Sequence, residues 1–439
     1  MPRTLTLQAF VNGVWQDAFS MTFQDSANPA ESRCSSGYRV EYLADNVDHV
    51  GSLAEHSVSV RQRLDLSVEY TRGYPAFIYD VMPSGAAFRS LRKRFASAKP
   101  DDVDLGLYLL ERCTPSPIGH LRIKESLDFL REGRAMGFDR QEVVRRNSDF
   151  LEYAYEQGAA IGGATGAGGE APKLLLVEDE SGQLHADATL NDAEVCKHWF
   201  VKFPRNRASQ RDRDILRSEF HYYRALGALG LDSIGADAVL EDDGEHQPSL
   251  WTSRFDRKIV PGGVERCAVE SIYSVCGNTV PGSFMRHEDV LRQLISLWRE
   301  AGQSAGIFDL TLDYISRDLL NRILGNSDNH GRNMAILRDG GRLRLAPIYD
   351  LAPMVLDPEG ITRVTKWDHE NRGEPDWRAA CHTHAGPVEG DELFDALREA
   401  AGTFRALPDL LTGLPEEVRR SPSIPLNDLE NRLRKWGLA

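Results

Sequence analysis

The chain has 439 residues and a formal net charge of −14, with 41% hydrophobic and 27% charged residues. That length is too great for one small core, so two or three domains are expected. The acidic balance argues against a duplex-binding protein, which needs clustered Lys and Arg for phosphate contacts, and no apolar run approaches the roughly 18–20 residues of a membrane span.

The opening "MPRTLTLQAF" lacks the long apolar core of a secretory signal. Six cysteines fall at irregular spacings without a C-x-x-C pair, so zinc sites of the common type are not expected, and "CKHW" and "CHTH" lack a second ligand cluster. Scattered reduced thiols fit a cytoplasmic protein, and that localisation, with no membrane association and no direct nucleic-acid binding, is the expectation.

Leu5, Leu7, Ala9 and Val11 alternate ahead of Asn12-Gly13 and "VWQDAF", the pattern of a β-hairpin. Further on, "GYPAFIYDVMPSGAAFRSLRKRF" reads as a short apolar stretch, a Pro-Ser-Gly break and a helix carrying Phe88, Leu91 and Phe95. The basic run "RSLRKRFASAK" within it reads as a solvated helix face. An N-terminal domain is expected over 1–145.

A glycine-dense run at 158–169 leads into the strand-like "KLLLVED", a Ser-Gly turn and the alternating, aromatic-rich "KHWFVKFP". "DILRSEFHYYRALGALG" has helical spacing at Ile215, Phe220, Tyr223 and Leu226 and stops at Gly230. "IGADAVLED" and "SLWTSRFDRK" suggest a further hairpin. These parts make a small α+β lobe, 146–255.

From about 256 the pattern reads as helical, giving a third unit over 256–439. "EDVLRQLISLWREAG" repeats apolar residues at 290, 291, 294, 297 and 298, and "TLDYISRDLLNRILG" is expected to open at Thr311 as N-cap and close at Gly325. "MAILRDGGRLRLAPIYD" is a hairpin around Asp339-Gly340-Gly341, and the remainder is amphipathic helix broken by Pro.

Four features along this order can carry chemistry. Glycine lets the 158–169 run approach a ligand closely and turn N–H groups toward phosphate oxygens, with Gly166, Ala167 and Gly168 the candidate positions; a surface turn is the other reading. Lys202, flanked by Phe200, Val201 and Phe203, sits where an ammonium needs a partner, either a ligand phosphate or Glu219 of the next helix; the plain alternative is an edge lysine reaching out to solvent. In "NSDNHGRN", Asp328 and Asn333 have the spacing D-x-x-x-x-N. In phosphoryl transfer such an Asp accepts or orients the attacking hydroxyl and such an Asn gives an oxygen to magnesium, although a polar loop satisfying its own backbone would share the composition. Asp350 in "APIYDLAP" is expected at a strand end, able to return to the site as a second metal ligand. A glycine-rich turn, a strand lysine, D-x-x-x-x-N and then Asp is the order of parts in a protein kinase.

The sequence resembles the HipA-type toxin kinases, serine/threonine kinases of bacterial toxin–antitoxin systems. "SRFDRK" (253–258), "NSDNHGRN" (326–333) and "PIYDLAP" (347–353) carry the resemblance, with "WFVKFP" and "SEFHYYRALGALGL" matching more loosely. It implies a protein-kinase-like α+β fold: a β-containing N-lobe, a helical C-lobe and an extra N-terminal subdomain. It also implies ATP and Mg2+ as cofactors, with Lys202 on the ATP phosphates. Ser253 and Phe255 would offer backbone groups to adenine, and Asp256 would reach the ribose. Asp328 would be the catalytic base, Asn333 and Asp350 the magnesium ligands, and His330 and Arg332 would shape the loop or steady the transferring phosphate. The implied partners are a protein substrate, a translation component such as an aminoacyl-tRNA synthetase, and a helix-turn-helix antitoxin. In that family a loop Ser is autophosphorylated, and Thr165 is the nearest hydroxyl here. "YDLAP" in place of D-F-G, "NSDN" in place of H-R-D and the lack of A-P-E are departures from ordinary kinases that the family shares. Two other readings stand beside the kinase: a nucleotide-binding pseudokinase acting as corepressor through an antitoxin, and a metal-dependent phosphoesterase using Asp328, His330, Asn333 and Asp350.

Overall fold

Along β1 (Arg3–Val11) the side chains of Leu5, Leu7 and Ala9 are fully buried, and the chain reverses at Asn12 and Gly13, both with positive φ (54° and 78°), into β2 (Val14–Phe23). Asn-Gly accepts the left-handed conformation that a tight hairpin turn demands. β3 (Arg33–Tyr38), β4 (Val68–Arg72) and β5 (Leu121–Ile123) complete a five-stranded sheet in the order β4-β3-β2-β1-β5. The Gly85–Phe95 helix forms as expected and buries Ala87, Leu91 and Phe95. The computed structural model describes residues 1–130, 136–146, 150, 151, 153, 154, 157, 171–383 and 389–439.

A second sheet has the order β7-β6-β8-β10-β9, built from β6 (Lys173–Glu178), β7 (Leu184–Ala186), β8 (Lys197–Lys202), β9 (Val239–Glu241) and β10 (Ser249–Ser253). β7 has only three residues, too few for an alternating pattern to announce it. The Gln210–Ala228 helix is opened by a capping box in which Ser209 and Asp212 satisfy each other's backbone N–H groups, and it turns Glu219, Tyr222 and Tyr223 inward.

The expectation that the chain turns helical near 256 is corrected. Arg257–Val260 and Gly263–Arg266 form a hairpin across Pro261-Gly262, and Ala268–Ser271 pairs with Ala335–Asp339, which pairs with Arg342–Leu345. Helical structure dominates from His287–Glu300 and Ile307–Ile323 onward. Thr311 is not the N-cap of the second helix. That helix begins four residues earlier, and the Thr311 hydroxyl donates to the Ile307 carbonyl at 2.7 Å inside it. Gly325, at φ +72°, does end it. The large core of this part includes Trp298, Leu319, Leu320, Trp377 and Phe404.

Buried polar contacts fasten the N-terminal sheet unit onto the three-stranded sheet. Glu270 accepts from Ser59 Oγ (2.5 Å) and the Val60 N–H (2.9 Å), Arg338 donates to the Ala54 and Ser57 carbonyls, and Asp80 accepts from the Ser271 N–H at 2.8 Å. The architecture is α+β: a β-containing lobe, a mainly helical lobe and an added N-terminal sheet that touches both. Among the described residues no helix is long and apolar enough to cross a membrane.

Candidate active site

The Ile307–Ile323 helix delivers the polar loop 326–333 directly after its Gly325 stop. Asn326 organises the loop from within: its Oδ1 accepts the Asp328 N–H at 3.1 Å, and its Nδ2 donates to Asn321 Oδ1 at 2.9 Å. The Asn333 amide donates from Nδ2 to the Asp328 carbonyl, and its backbone N–H donates to the His330 carbonyl at 2.9 Å. Asn329 points the other way, donating to the Thr365 carbonyl at 3.0 Å. The loop thus braces itself from within and still leaves oxygen-bearing groups over, those of Asp328 and Asn333 among them. The Asp328 carboxylate faces the cleft, with His330 Nε2 at 3.3 Å from its Oδ1, and the buried Asn333 Oδ1 has no hydrogen-bond partner among the described residues. An orphaned amide oxygen is costly unless something else fills its lone pairs.

Asp350 lies five residues beyond the end of the Arg342–Leu345 strand, not at the strand end, and holds φ +55°. Asp tolerates that left-handed conformation better than most residues. Its N–H donates to the Tyr223 hydroxyl (2.8 Å), which in turn donates to Glu219 Oε1 (2.9 Å). Lys202 Nζ bridges Glu219 Oε2 and Asp350 Oδ1, both at 2.5 Å, and Lys173 Nζ reaches Asp350 Oδ2 at 3.1 Å. Lys173 and Lys202 are direct partners in the β6–β8 register. Like charges so placed repel, so the pair needs anions in front of it. Burial opposes ionisation of Asp350, but Lys173 and Lys202 outweigh it and hold the carboxyl well below its usual range. The same carboxylates outweigh the burial of Lys202 and hold its pKa above the ordinary lysine value. Both groups are therefore charged at neutral pH.

Two cavities meet at this cluster and share Glu219 and Asp350 as a wall. One is mainly apolar and is lined by Phe200, Ser253, Phe255 and Tyr349. The Phe255 and Tyr349 rings stack with centroids 5.7 Å apart. The other is lined by the charged Lys202, Arg205, Asp328 and Asp350 together with apolar residues such as Phe203, Ile215 and Met354. A flat apolar slot beside a charged cleft suits a nucleoside joined to phosphates. Among the described residues no cluster of three or more His, Cys, Asp or Glu is arranged to hold a metal ion on its own. Magnesium does not need one: it takes one or two protein oxygens when substrate phosphates supply the rest. The orphaned Asn333 oxygen and the ionised Asp350 carboxylate are hard donors of that kind.

The family model for the HipA-like C-terminal domain matches residues 165–406, more than half of the chain. The chain belongs to the HipA-like family. The toxin YjjJ of Escherichia coli (strain K12) is 28% identical over 196 residues, which are 44% of this chain and 39% of that protein, so the match spans about two fifths of the curated relative's length. Among solved structures, HipA of Shewanella oneidensis MR-1, determined in a toxin–antitoxin complex with HipB and operator DNA, superposes with a TM-score of 0.64 at 16% identity, covering 99% of this chain and 96% of that one. The fold is accordingly that of HipA.

Within this HipA-like chain Lys202, Asp328 and Asp350 line one cleft, with Ser253 and Phe255 at the apolar slot; His330 and Asn333 touch Asp328 but line a neighbouring cavity that shares Tyr349 with the slot. The structure does not bring two other expected residues there. Asp256 is fully buried: its carboxylate accepts from Arg254, Arg257 and the Gly119 N–H, so no oxygen is left for a ribose. Arg332 is 2% exposed and turned toward the N-terminal unit, 5.9 Å from the Tyr79 ring centroid and beside Asp80. It shapes the loop from behind and does not face the phosphate cleft. Gly166, Ala167, Gly168 and Thr165 lie outside the described residues. Two residues that the sequence reading missed belong to the site: Lys173, whose position opposite Lys202 is a matter of strand register, and Arg205, considered below.

Asp256 belongs to a buried ionic knot where the three parts of the HipA-like chain meet. Arg254 also pairs with Asp187 and donates to the Pro117 carbonyl at 2.9 Å. Arg254→Met would remove the cation that two buried carboxylates share, leaving Asp256 with Arg257 and the Gly119 N–H and Asp187 with His198, and a loss of about 3 kcal/mol of stability is expected. Chemical denaturation of the variant against the parent chain checks this.

Proposed function

We propose that the chain is an ATP-dependent serine/threonine protein kinase of HipA type, which transfers the γ-phosphoryl group of ATP to a hydroxyl of a cellular protein. The observation that supports this reading is that the Asp328 and ionised Asp350 carboxylates, distant in sequence, line one cleft with Lys202, while the unpartnered oxygen of Asn333 belongs to the side chain that donates to the Asp328 carbonyl. Asp328 receives the proton of the acceptor hydroxyl, with His330 beside it to orient its carboxylate. Asn333 and Asp350 are the residues that hold magnesium, which when bound neutralises charge on the phosphate oxygens. Lys202 and Lys173 engage the phosphates, and the slot between Phe200, Phe255 and Tyr349 takes the adenine, against backbone groups of Ser253 and Phe255.

Kinship supplies the rest of the proposal. The target is a translation component, such as an aminoacyl-tRNA synthetase, and the consequence of its phosphorylation is growth arrest in the cytoplasm. A DNA-binding antitoxin is the proposed partner, as HipB is for the Shewanella protein. With a net charge of −14 on this chain, that partner would make the DNA contacts. Incubation of the purified chain with γ-labelled ATP and a cell lysate, followed by identification of the labelled band, tests the reading. Labelling of a discrete protein, lost in Asp328→Asn, is expected. Nucleotide binding with no transfer to any protein would favour the pseudokinase corepressor instead.

A further inference from the structure

The segment that leaves β8 carries two cations three residues apart, and each meets a different carboxylate of the opposite lobe. Lys202 pairs with Asp350 at 2.5 Å, and Arg205 Nη1 lies 3.9 Å from Asp328 Oδ2. Arg205 Nε is also 3.0 Å from Oδ2 of Asp357, a residue just beyond Asp350. That second contact is close but poorly aligned: among the described residues neither atom makes a hydrogen bond. The guanidinium side chain is 8% exposed and Asp357 is fully buried, so both charges have lost most of their hydration. A desolvated arginine with its fork not engaged is an unusual thing to keep as mere structure.

The backbone fixes where this side chain starts. The Phe203 N–H donates to the Pro172 carbonyl at 3.0 Å, Pro204 fixes its own φ and restricts Phe203 before it, and the Ala208 N–H returns to the Arg205 carbonyl at 2.9 Å. Arg205 therefore leaves a defined turn and enters the cavity whose wall it shares with Lys202, Asp328 and Asp350.

We propose that Arg205 is a catalytic residue that grips the transferring phosphoryl group, held between Asp328 and Asp357 until nucleotide arrives. The assignment rests on the kinase reading. In the transfer, the acceptor oxygen forms a bond to the γ-phosphorus while the bond from that phosphorus to the β–γ bridging oxygen breaks. ADP leaves with the electron pair, and the hydroxyl proton goes to Asp328. Arg205 adds no bond of its own. It presents a fixed charge and paired N–H donors to the equatorial oxygens beside Asp328, the place an arginine finger occupies in other phosphoryl-transfer enzymes. Arg205 and Lys202 then divide the work along the phosphate chain, the lysine on the part common to ADP and ATP and the arginine on the γ-group.

That division gives a binding test independent of turnover. Calorimetry on the full-length chain measures affinity for ADP and for the β,γ-imido analogue of ATP, each with magnesium, in the parent, R205Q and R205K. The expected result is a loss of roughly ten- to hundredfold for the analogue in R205Q, a change of less than about twofold for ADP, and partial recovery of the analogue's affinity in R205K, which keeps the charge without the fork. If R205Q fails to fold, R205K carries the same comparison. An equal loss for both nucleotides, or no loss for either, overturns the assignment and leaves the kinase reading standing. A parent chain that binds neither nucleotide overturns the kinase reading, and this assignment with it.

Discussion

Asp350→Asn is expected to reduce γ-phosphoryl transfer by at least about 10²-fold and to lower the stability of the nucleotide-free chain by about 3 kcal/mol or more. Both effects have one origin. Lys202 and Lys173 stand side by side in the strand register and share the two oxygens of this carboxylate. Neutralising it leaves two buried ammonium groups facing Glu219 alone, while the site loses an anionic oxygen for magnesium. Asn accepts the left-handed backbone at this position, so the variant isolates charge from backbone strain. Thermal denaturation and a transfer assay at saturating ATP read the two effects separately. An unchanged melting temperature would mean that the lysines are neutralised by something other than Asp350.

Asp328→Asn should lose transfer to a similar or greater degree with stability nearly untouched, within about 0.5 kcal/mol. The loop at 326–333 is held through the backbone of Asp328, whose N–H goes to Asn326 and whose carbonyl accepts from Asn333. Among the described residues the carboxylate itself lies 3.3 Å from His330 and 3.9 Å from Arg205. An amide of the same shape preserves the loop and removes the proton acceptor. Nucleotide affinity should stay within about threefold of the parent, since Lys202, Asn333 and Asp350 are unchanged. If Asp328→Asn kept most of its transfer rate, the base would have to be another group, with His330 next in reach.

The parts of this site that were legible in the sequence are those set by short spacing or by local chemical contrast. Asp328 and Asn333 lie in one loop between apolar runs, and Lys202 is a lysine among Phe, Val and Phe. What was misread depended on which way a side chain turns. Asp256 sits inside a motif that matches the family, but its neighbours Arg254 and Arg257 draw its carboxylate into the interior. Arg332 stands one residue from Asn333, yet the buried Asp80 of the N-terminal unit attracts it to the far side of the loop. What was missed depended on contacts distant in sequence. Arg205 is one of several arginines in "PRNRASQRDRD", and only the approach of Asp328 and Asp357 distinguishes it. The change to helix was placed too early, near 256, because the two short pairings that follow have too few residues to establish a period.

The claim on which the rest depends is that Asn333 and Asp350 ligate one divalent ion shared with nucleotide phosphates. A crystal structure of the chain grown with Mn2+ and the β,γ-imido analogue of ATP tests it by anomalous scattering. The predicted result is a manganese peak roughly 2 Å from both Asn333 Oδ1 and an Asp350 carboxylate oxygen, with Asp328 facing the γ-phosphorus. Manganese elsewhere on the chain, or nucleotide bound with Asp350 still clasped by both lysines, would contradict it.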